Sequence, residues 1–369
     1  MRITSIATIP VALPFRERYE TATGSLRQRE MILLKLVGSE GHVGYGDAVP
    51  LSLRGGPPLA AVRADLDRVC SPLLTAADLD PDLPPAEAGT SIASLLDSAL
   101  GAGAGPGALA AIEMALLDLL GRACDAPAWA LLGAADAHPV QCNGTLGAGS
   151  PDRVAESARE MVDQGFKTLK VKVGAGEDRA RMEAVRDTCG AGVKLRIDAN
   201  GAWSPNDAID QLEALGGADL ELAEQPCATL EDLAALRTRT DVAIVADESV
   251  SSEDEASRAV ELAACDAVTI KLAKVGGPRA ALRIGSRVPA YLSSALDSPL
   301  GIAAAVHTAQ ALPARDFASG LAQGLATSGL FADNVADDRA LRGPTIHPPT
   351  GPGLGVEIDE DAVERLRIP

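Results

Sequence analysis

Thr168-Leu169-Lys170-Val171-Lys172-Val173, Val193-Lys194-Leu195-Arg196-Ile197-Asp198, Leu220-Glu221-Leu222-Ala223-Glu224, Val242-Ala243-Ile244-Val245-Ala246-Asp247 and Ala267-Val268-Thr269-Ile270-Lys271 are short, largely apolar runs, each with a charged residue at its end or next to it. Those charged residues, Lys172, Asp198, Glu224, Asp247 and Lys271, follow one another at steps of 26, 26, 23 and 24 residues. Apolar, β-branched runs of this length read as strands, and each step is the length of one strand plus its return helix. The pattern extends outward in both directions. A strand is expected at 140–143, another at 289–293 and a weaker one at 315–318, with helices from about 151, 178, 205 and 299. Eight strands, each followed by a helix or turn, predict an α/β fold with a parallel barrel. An open doubly wound sheet is the alternative, but it wants a glycine-rich nucleotide loop after its first strand. Asn143-Gly144-Thr145-Leu146-Gly147 is a poor one.

The order of the end charges carries the chemistry. In a barrel the C-terminal strand edge holds the active site, and here it carries Lys, Asp, Glu, Asp and Lys in succession. Three converging carboxylates repel one another unless a cation sits among them. Asp198, Glu224 and Asp247 therefore read as ligands of a hard divalent ion, Mg²⁺ with Mn²⁺ as the alternative. Residues two apart on a strand share a face, so Lys170 and Lys172 both point into the mouth while Leu169 and Val171 face the helices. Lys271 approaches from the other side. Two ammonium groups and a metal dication in one cleft are expected to lower a lysine from about 10.4 towards about 7–8, where it works as a base. Asn200 and Glu248 are placed behind the ligands, because their neighbours already supply the oxygens. Lys274 lies past the expected strand end and is the alternative inward lysine. His307, on the helix after the seventh strand, reads as a packed surface histidine.

The N-terminal third has a different character. Segments 3–14 and 31–37 read as strands with a turn at 38–46, and the polar stretch 16–30 between them reads as a loop. Residues 57–100 alternate helical pieces with proline-rich breaks. Gly101-Ala102-Gly103-Ala104-Gly105-Pro106-Gly107 neither follows a strand nor carries a phosphate-binding signature, so it reads as a linker before an apolar helix over 108–123.

Composition sets outer limits. The 369 residues carry 33 basic and 51 acidic side chains, a net charge of −18 that disfavours nucleic acid and anionic membranes as partners. Apolar residues make up 47% and charged residues 23%, the mix of a folded globular chain. No membrane span or cleavable signal is apparent, and six scattered cysteines lack a C-x-x-C pair, so a reducing cytoplasm is the expected setting. Only seven of the basic residues are lysines, and six of these fall between 167 and 274. The lysines thus gather along the strands with charged ends rather than serving as general surface charge.

With Lys170-Val171-Lys172, Ile197-Asp198-Ala199-Asn200, Glu224-Gln225-Pro226, Ala246-Asp247-Glu248-Ser249 and Ile270-Lys271 in view, the chain resembles the muconate-lactonizing-enzyme subgroup of the enolase superfamily. The resemblance implies a (β/α)7β barrel over 138–325. It implies an α+β capping domain built from 1–130 and completed by 326–369, with loops around 16–30 and 50–56 closing over substrate. Within the subgroup the barrel is most similar to the o-succinylbenzoate synthases. The supporting stretches include Asp198 to Trp203, Glu224 to Thr229 and Ser293-Ser294-Ala295-Leu296-Asp297-Ser298-Pro299-Leu300-Gly301. This implies a lyase of menaquinone biosynthesis that performs a syn-dehydration. Lys172 would take the α-proton and return it to the departing hydroxide, Lys271 would stabilise the enolate, and Lys170 would tune Lys172.

Arg29 and Arg27 are candidate contacts for a distal carboxylate, a role a forked guanidinium suits, and Ser293 and Ser294 are further candidate substrate contacts. The same lysine pair serves an N-succinylamino acid racemase or another epimerase. The Lys271-Leu272-Ala273-Lys274 segment also resembles the cycloisomerases. A dipeptide epimerase is disfavoured because no Asp-x-Asp stands on the last strand. Outside the superfamily, two alternatives remain: a Schiff-base aldolase using Lys271, which leaves the three acids unexplained, and a non-catalytic binding barrel, which predicts no proton exchange with any substrate. The expected partners are a small-molecule carboxylate and further copies of the chain in a homo-oligomer.

Overall fold

The computed structural model describes all residues except 22, 23, 53–55, 148, 175 and 316, together with the side chains of 20, 21, 24, 70 and 71. Three strands open the chain, β1 (Ile3–Thr21), β2 (Gly24–Gly38) and β3 (Val43–Ala48), and they form an antiparallel sheet in the order β1-β2-β3. Helices α1 (Leu59–Leu74), α2 (Pro85–Gly101), α3 (Pro106–Ala123) and α4 (Ala128–Leu131) follow. The next elements are β4 (Val140–Gln141), β5 (Gly144–Leu146), α5 (Pro151–Asp163), β6 (Thr168–Lys172), α6 (Asp178–Cys189), β7 (Lys194–Asp198) and α7 (Pro205–Ala214). The alternation continues through β8 (Leu220–Glu224), α8 (Leu230–Arg237), β9 (Ile244–Ala246), α9 (Glu253–Glu261), β10 (Ala267–Ile270), α10 (Leu272–Val275), α11 (Pro278–Gly285), β11 (Ala290–Leu292) and α12 (Pro299–Ala311). Strand β12 (Thr345–Ile346) and helix α13 (Glu360–Leu366) end the series.

Strands β5 to β11 form one parallel sheet in simple sequence order, as expected for repeated strand–helix units. The sheet is curled. Three strand spacings separate β8 from β11, about 14 Å in a flat sheet, yet the Tyr291 hydroxyl of β11 lies 2.7 Å from Glu224 of β8. Parallel bridges join Gln323 to Cys142 and Gly324 to Ser293, so the 323–324 segment stands between the two sheet edges. The curl encloses a small apolar cluster of Leu222, Val245, Ala267, Tyr291, Ala318 and Leu321. Leu169 and Val171 face outward into the main core, as the period of two requires.

Several expectations are corrected. Val140–Gln141 is not the first parallel strand: it pairs antiparallel with β12, and β5 takes the place next to β6. Residues 318–320 form a 3₁₀ turn, and the pairing that spans the sheet edges comes later, at 323–324. The described part of 16–30 belongs to the two arms of a long hairpin, with Tyr19 opposite Leu26. Arg16, Glu17, Arg18, Arg27 and Gln28 are all exposed there, which erases the apolar alternation that reveals a strand. Phe15 anchors the hairpin by stacking on Tyr19 at 5.3 Å and on Phe331 at 4.9 Å. The expected linker at 101–107 is the end of α2, a tight turn and the start of α3.

Helix α3 is buried on all sides, with strand β3 against one of them. Gly44 and Gly46 permit that approach: a Cβ at Gly46 would lie 2.2 Å from the Ala111 carbonyl oxygen. His307 on α12 is wholly buried, contrary to the expected surface position, because α12 is apolar around its whole circumference. Its Nε2 lies 3.1 Å from the Leu354 carbonyl oxygen, and burial lowers its pKa from the ordinary 6.5 to about 4. Between those values the unfolded chain takes up a proton that the folded chain refuses, so stability falls as pH drops through that window. Replacing His307 by Gln should flatten that part of the stability curve, measured by urea unfolding between pH 4 and 7; an unchanged slope contradicts the assignment.

Candidate active site

The register of the parallel strands assembles the site. Lys172 lies opposite Asp198, Asp198 opposite Glu224, and Glu224 opposite Val245, two residues before Asp247. The chain turns sharply past two of these strand ends, with left-handed backbone at Asn200 (φ 48°) and Gln225 (φ 39°). Gln225, which the sequence marks only as a neighbour of Glu224, fastens the next turn. Its Oε1 accepts from Asp247 N at 2.6 Å and from Ser249 Oγ at 3.1 Å, and its Nε2 donates to Cys227 O at 2.8 Å.

All three acids are buried to within 1% of full exclusion, and each has a cationic partner. Lys170 Nζ lies 3.0 Å from Glu224 Oε1 and 3.2 Å from Asp198 Oδ2. Lys172 Nζ lies 2.5 Å from the same Asp198 oxygen and 3.1 Å from Asn200 Oδ1. At the other end of the row, Lys271 contacts Asp247 Oδ2. Lys274 is 2.9 Å from Asp247 Oδ1 and also donates to the Asp247 and Thr269 carbonyl oxygens. Both inward-lysine alternatives therefore meet the same aspartate, because α10 begins at once after Lys271 and turns Lys274 back beneath it. Asn200 donates from Nδ2 to Glu248 Oε1 at 3.1 Å while its Oδ1 accepts from Lys172, so it links the two side chains.

Charge pairing decides the protonation states. Burial opposes ionisation of Asp198, but Lys172 and Lys170 outweigh it and hold the carboxyl below its usual range. Lys271 and Lys274 hold Asp247 well below that range against the same burial. Burial lowers a lysine, and contact with carboxylates raises it. Burial does act that way on Lys170, yet Glu224 and Asp198 raise it well above its usual value, and Asp247 and Glu248 likewise raise Lys271 against burial.

Each acid divides its two oxygens. Asp198 Oδ1 accepts from Asn200 N at 3.1 Å, Glu224 Oε2 from Tyr291 at 2.7 Å, and Asp247 Oδ1 from Lys274. The remaining oxygens, Asp198 Oδ2, Glu224 Oε1 and Asp247 Oδ2, are held by Lys170, Lys172 and Lys271. Among the described residues no cluster of acids, histidines or cysteines forms a ready-made metal cage. The donor set nevertheless suits a hard divalent ion, since three buried acids offer oxygens that already bind cations.

The other expected contacts divide. Arg29 is 4% exposed and ties the sheets together, its Nη2 donating to Pro50 O at 2.6 Å and Ala295 O at 3.0 Å. Arg27 is exposed on the hairpin. Ser293 Oγ contacts Gly324 O at 3.4 Å. Ser294 fastens its own turn, accepting from Leu296 N and Asp297 N and donating to Asp297 Oδ2 at 2.8 Å. The expectation that 50–56 closes over substrate falls largely on 53–55, outside the described residues, and the tip of the 16–30 segment lies outside them too.

Known proteins place this arrangement in a family. Residues 3–133 match the mandelate racemase / muconate lactonizing enzyme N-terminal domain, and residues 153–362 match the enolase C-terminal domain-like family. The chain is 31% identical to the L-Ala-D/L-Glu epimerase of Bacillus subtilis over 96% of its own length and 97% of the relative. It is 41% identical to the o-succinylbenzoate synthase of Thermobifida fusca, over 55% of this chain and 64% of the synthase. Among solved structures, the N-succinyl Arg/Lys racemase of Bacillus cereus superposes with a TM-score of 0.88 at 26% identity, covering 100% of this chain and 98% of that one. The dipeptide epimerase of Enterococcus faecalis, complexed with Mg and L-Leu-L-Tyr, gives 0.87 at 29% identity, covering 97% and 100%. The chain therefore belongs to the enolase superfamily, in its muconate-lactonizing-enzyme subgroup.

Proposed function

We propose that this enzyme abstracts the proton α to a carboxylate in a small substrate, with Lys172 as base and Mg²⁺ as cofactor. The observation that carries the reading is the placement of two ammonium groups at opposite ends of one acid row, Lys172 on Asp198 and Lys271 on Asp247. Asp198, Glu224 and Asp247 would hold the ion, with Mn²⁺ as a substitute. When bound, it supplies Lewis-acid stabilisation of the charge that develops on the substrate carboxylate. On this reading 323–324 completes a (β/α)7β barrel, 1–130 and 326–369 form the cap, and Arg29 fixes the cap against the barrel mouth.

The chain's own groups then divide the work. Released from Asp198 and having first given up a proton to solvent, Lys172 accepts the α-proton as a neutral amine, and Asn200 keeps that amine oriented. Lys170 stays on Glu224 and opposes a second positive charge beside Lys172. In a dehydration Lys172 returns its proton to the hydroxide leaving from the same face, while Lys271 balances the negative charge opposite. This is the o-succinylbenzoate synthase reaction, which we take as the first reading. It is supported by the 41% identity of the matched segment to a synthase. The absence of an acid from Leu321-Ala322-Gln323-Gly324-Leu325 also supports it, since a free peptide ammonium would find no counter-charge there.

The second reading is racemisation of an N-succinylamino acid, in which Lys271 delivers a proton to the face opposite Lys172. It is favoured by the two-sided lysine placement and by the likeness to an N-succinyl Arg/Lys racemase over the whole chain. Muconate-type cycloisomerisation is a further member of the same chemistry.

Incubation in D₂O with the succinyl-cyclohexadiene carboxylate and a panel of N-succinylamino acids separates these readings. Loss of diene absorbance marks the synthase, and α-deuteration with inversion marks the racemase. Activity should vanish in EDTA and return with Mg²⁺. Lys172→Ala should lose at least about 10²-fold in turnover while keeping its far-UV spectrum; retained turnover contradicts the base. Lys271→Ala should abolish inversion, yet still allow deuterium exchange of the enantiomer whose proton faces Lys172. Exchange of both enantiomers at wild-type rates contradicts the two-sided reading.

A further inference from the structure

Tyr291 lies in the middle of an apolar strand, yet its hydroxyl reaches across the curled sheet to Glu224 Oε2 at 2.7 Å. An ionised carboxylate only accepts hydrogen bonds, so the phenol donates. The ring is 1% exposed and packs with Leu222, Val245 and Ala267. Beside it lies Arg196, its guanidinium carbon 5.2 Å from the ring centroid. Arg196 is itself fixed by Glu221 Oε2 at 2.5 Å and Ala322 O at 2.7 Å. The phenol is therefore held rigidly, and one oxygen of Glu224 is held with it.

Asp198 and Asp247 are tied in the same manner, one through the Asn200 N–H and one through Lys274. Each acid thus offers one oxygen to the cleft and keeps the other in a fixed hydrogen bond. Ca²⁺ takes six to eight oxygens and often grips both oxygens of a carboxylate, whereas Mg²⁺ takes single oxygens and retains water. We propose that Tyr291 is a positioning residue that keeps Glu224 a one-oxygen donor and so makes the acid row prefer Mg²⁺ to Ca²⁺. The inference rests on the reading of these acids as a divalent-cation site.

Calorimetric titration of the substrate-free protein with Mg²⁺ and with Ca²⁺ tests it. Tyr291→Phe should weaken Mg²⁺ about tenfold and weaken Ca²⁺ less, so the preference for Mg²⁺ narrows. An unchanged Ca²⁺/Mg²⁺ ratio overturns the inference, whatever happens to the absolute affinities. Tyr45→Phe removes a phenol–carboxylate contact with Glu360 far along the chain and should leave the ratio alone. Glu224→Gln tests the underlying reading: if it binds Mg²⁺ as tightly as the wild type, the cation site itself is wrong. If it weakens Mg²⁺ while Tyr291→Phe leaves the ratio intact, only the inference fails. Should Tyr291→Phe not fold, fluorotyrosine in the wild-type chain gives a second readout by ¹⁹F NMR. The Tyr291 resonance should shift on Mg²⁺ addition, and a stationary resonance overturns the proposal.

Discussion

Buried carboxylates need counter-charge, and this requirement organises the molecule. Asp198, Glu224 and Asp247 are excluded from water at the end of a parallel sheet, where an unpaired charge costs several kcal/mol. Lys170, Lys172, Lys271 and Lys274 meet that demand. The pairing depends on register: a one-residue slip of β6 against β7 would turn both lysines of that strand towards the helices. Strand pairing, charge balance and the geometry of the candidate site are therefore one constraint.

Buried acids also join the N-terminal sheet to the rest of the chain. Asp118 on α3 accepts from Tyr45 N at 2.9 Å, from Leu354 N at 2.8 Å and from Arg122 Nε at 3.2 Å. Burial pushes its carboxyl up to about 6 against the pull of Arg122. Asp47 on β3 accepts from Ser298 N at 2.9 Å and Ser298 Oγ at 2.5 Å at the start of α12. Arg29 crosses the same seam to Ala295. The hairpin base and the loop after β11 are thus fixed together, next to the strand whose tyrosine reaches Glu224. Through these contacts the N-terminal sheet shares its position with the acid-bearing edge of the parallel sheet.

Much of this was legible in the sequence because two periods coincide. The period of two along a strand and the 23–26 residue step between strands both place Lys172, Asp198, Glu224, Asp247 and Lys271 on one edge. Contacts that cross the curl had no such signal. Tyr291 sits between Ala290 and Leu292 and reads as core, because its partner is 67 residues away on a non-adjacent strand. Lys274 falls outside the strand pattern, and only the immediate start of α10 turns it back to Asp247. The 16–30 arms were hidden by solvent on both faces, and the 323–324 pairing by its brevity. The carboxylates that touch Lys170 and Lys271, and raise both against burial, are likewise visible only once the strands are paired.

The central claim is that the three lysine-held oxygens are the seat of a divalent cation. A crystal of the protein grown with Mn²⁺ and measured at its absorption edge tests this most directly. The account predicts one anomalous peak bounded by Asp198 Oδ2, Glu224 Oε1 and Asp247 Oδ2, with the Lys172 and Lys271 amines withdrawn from those atoms. Saturating Mn²⁺ with no peak there, and both amines still on their aspartates, would contradict it.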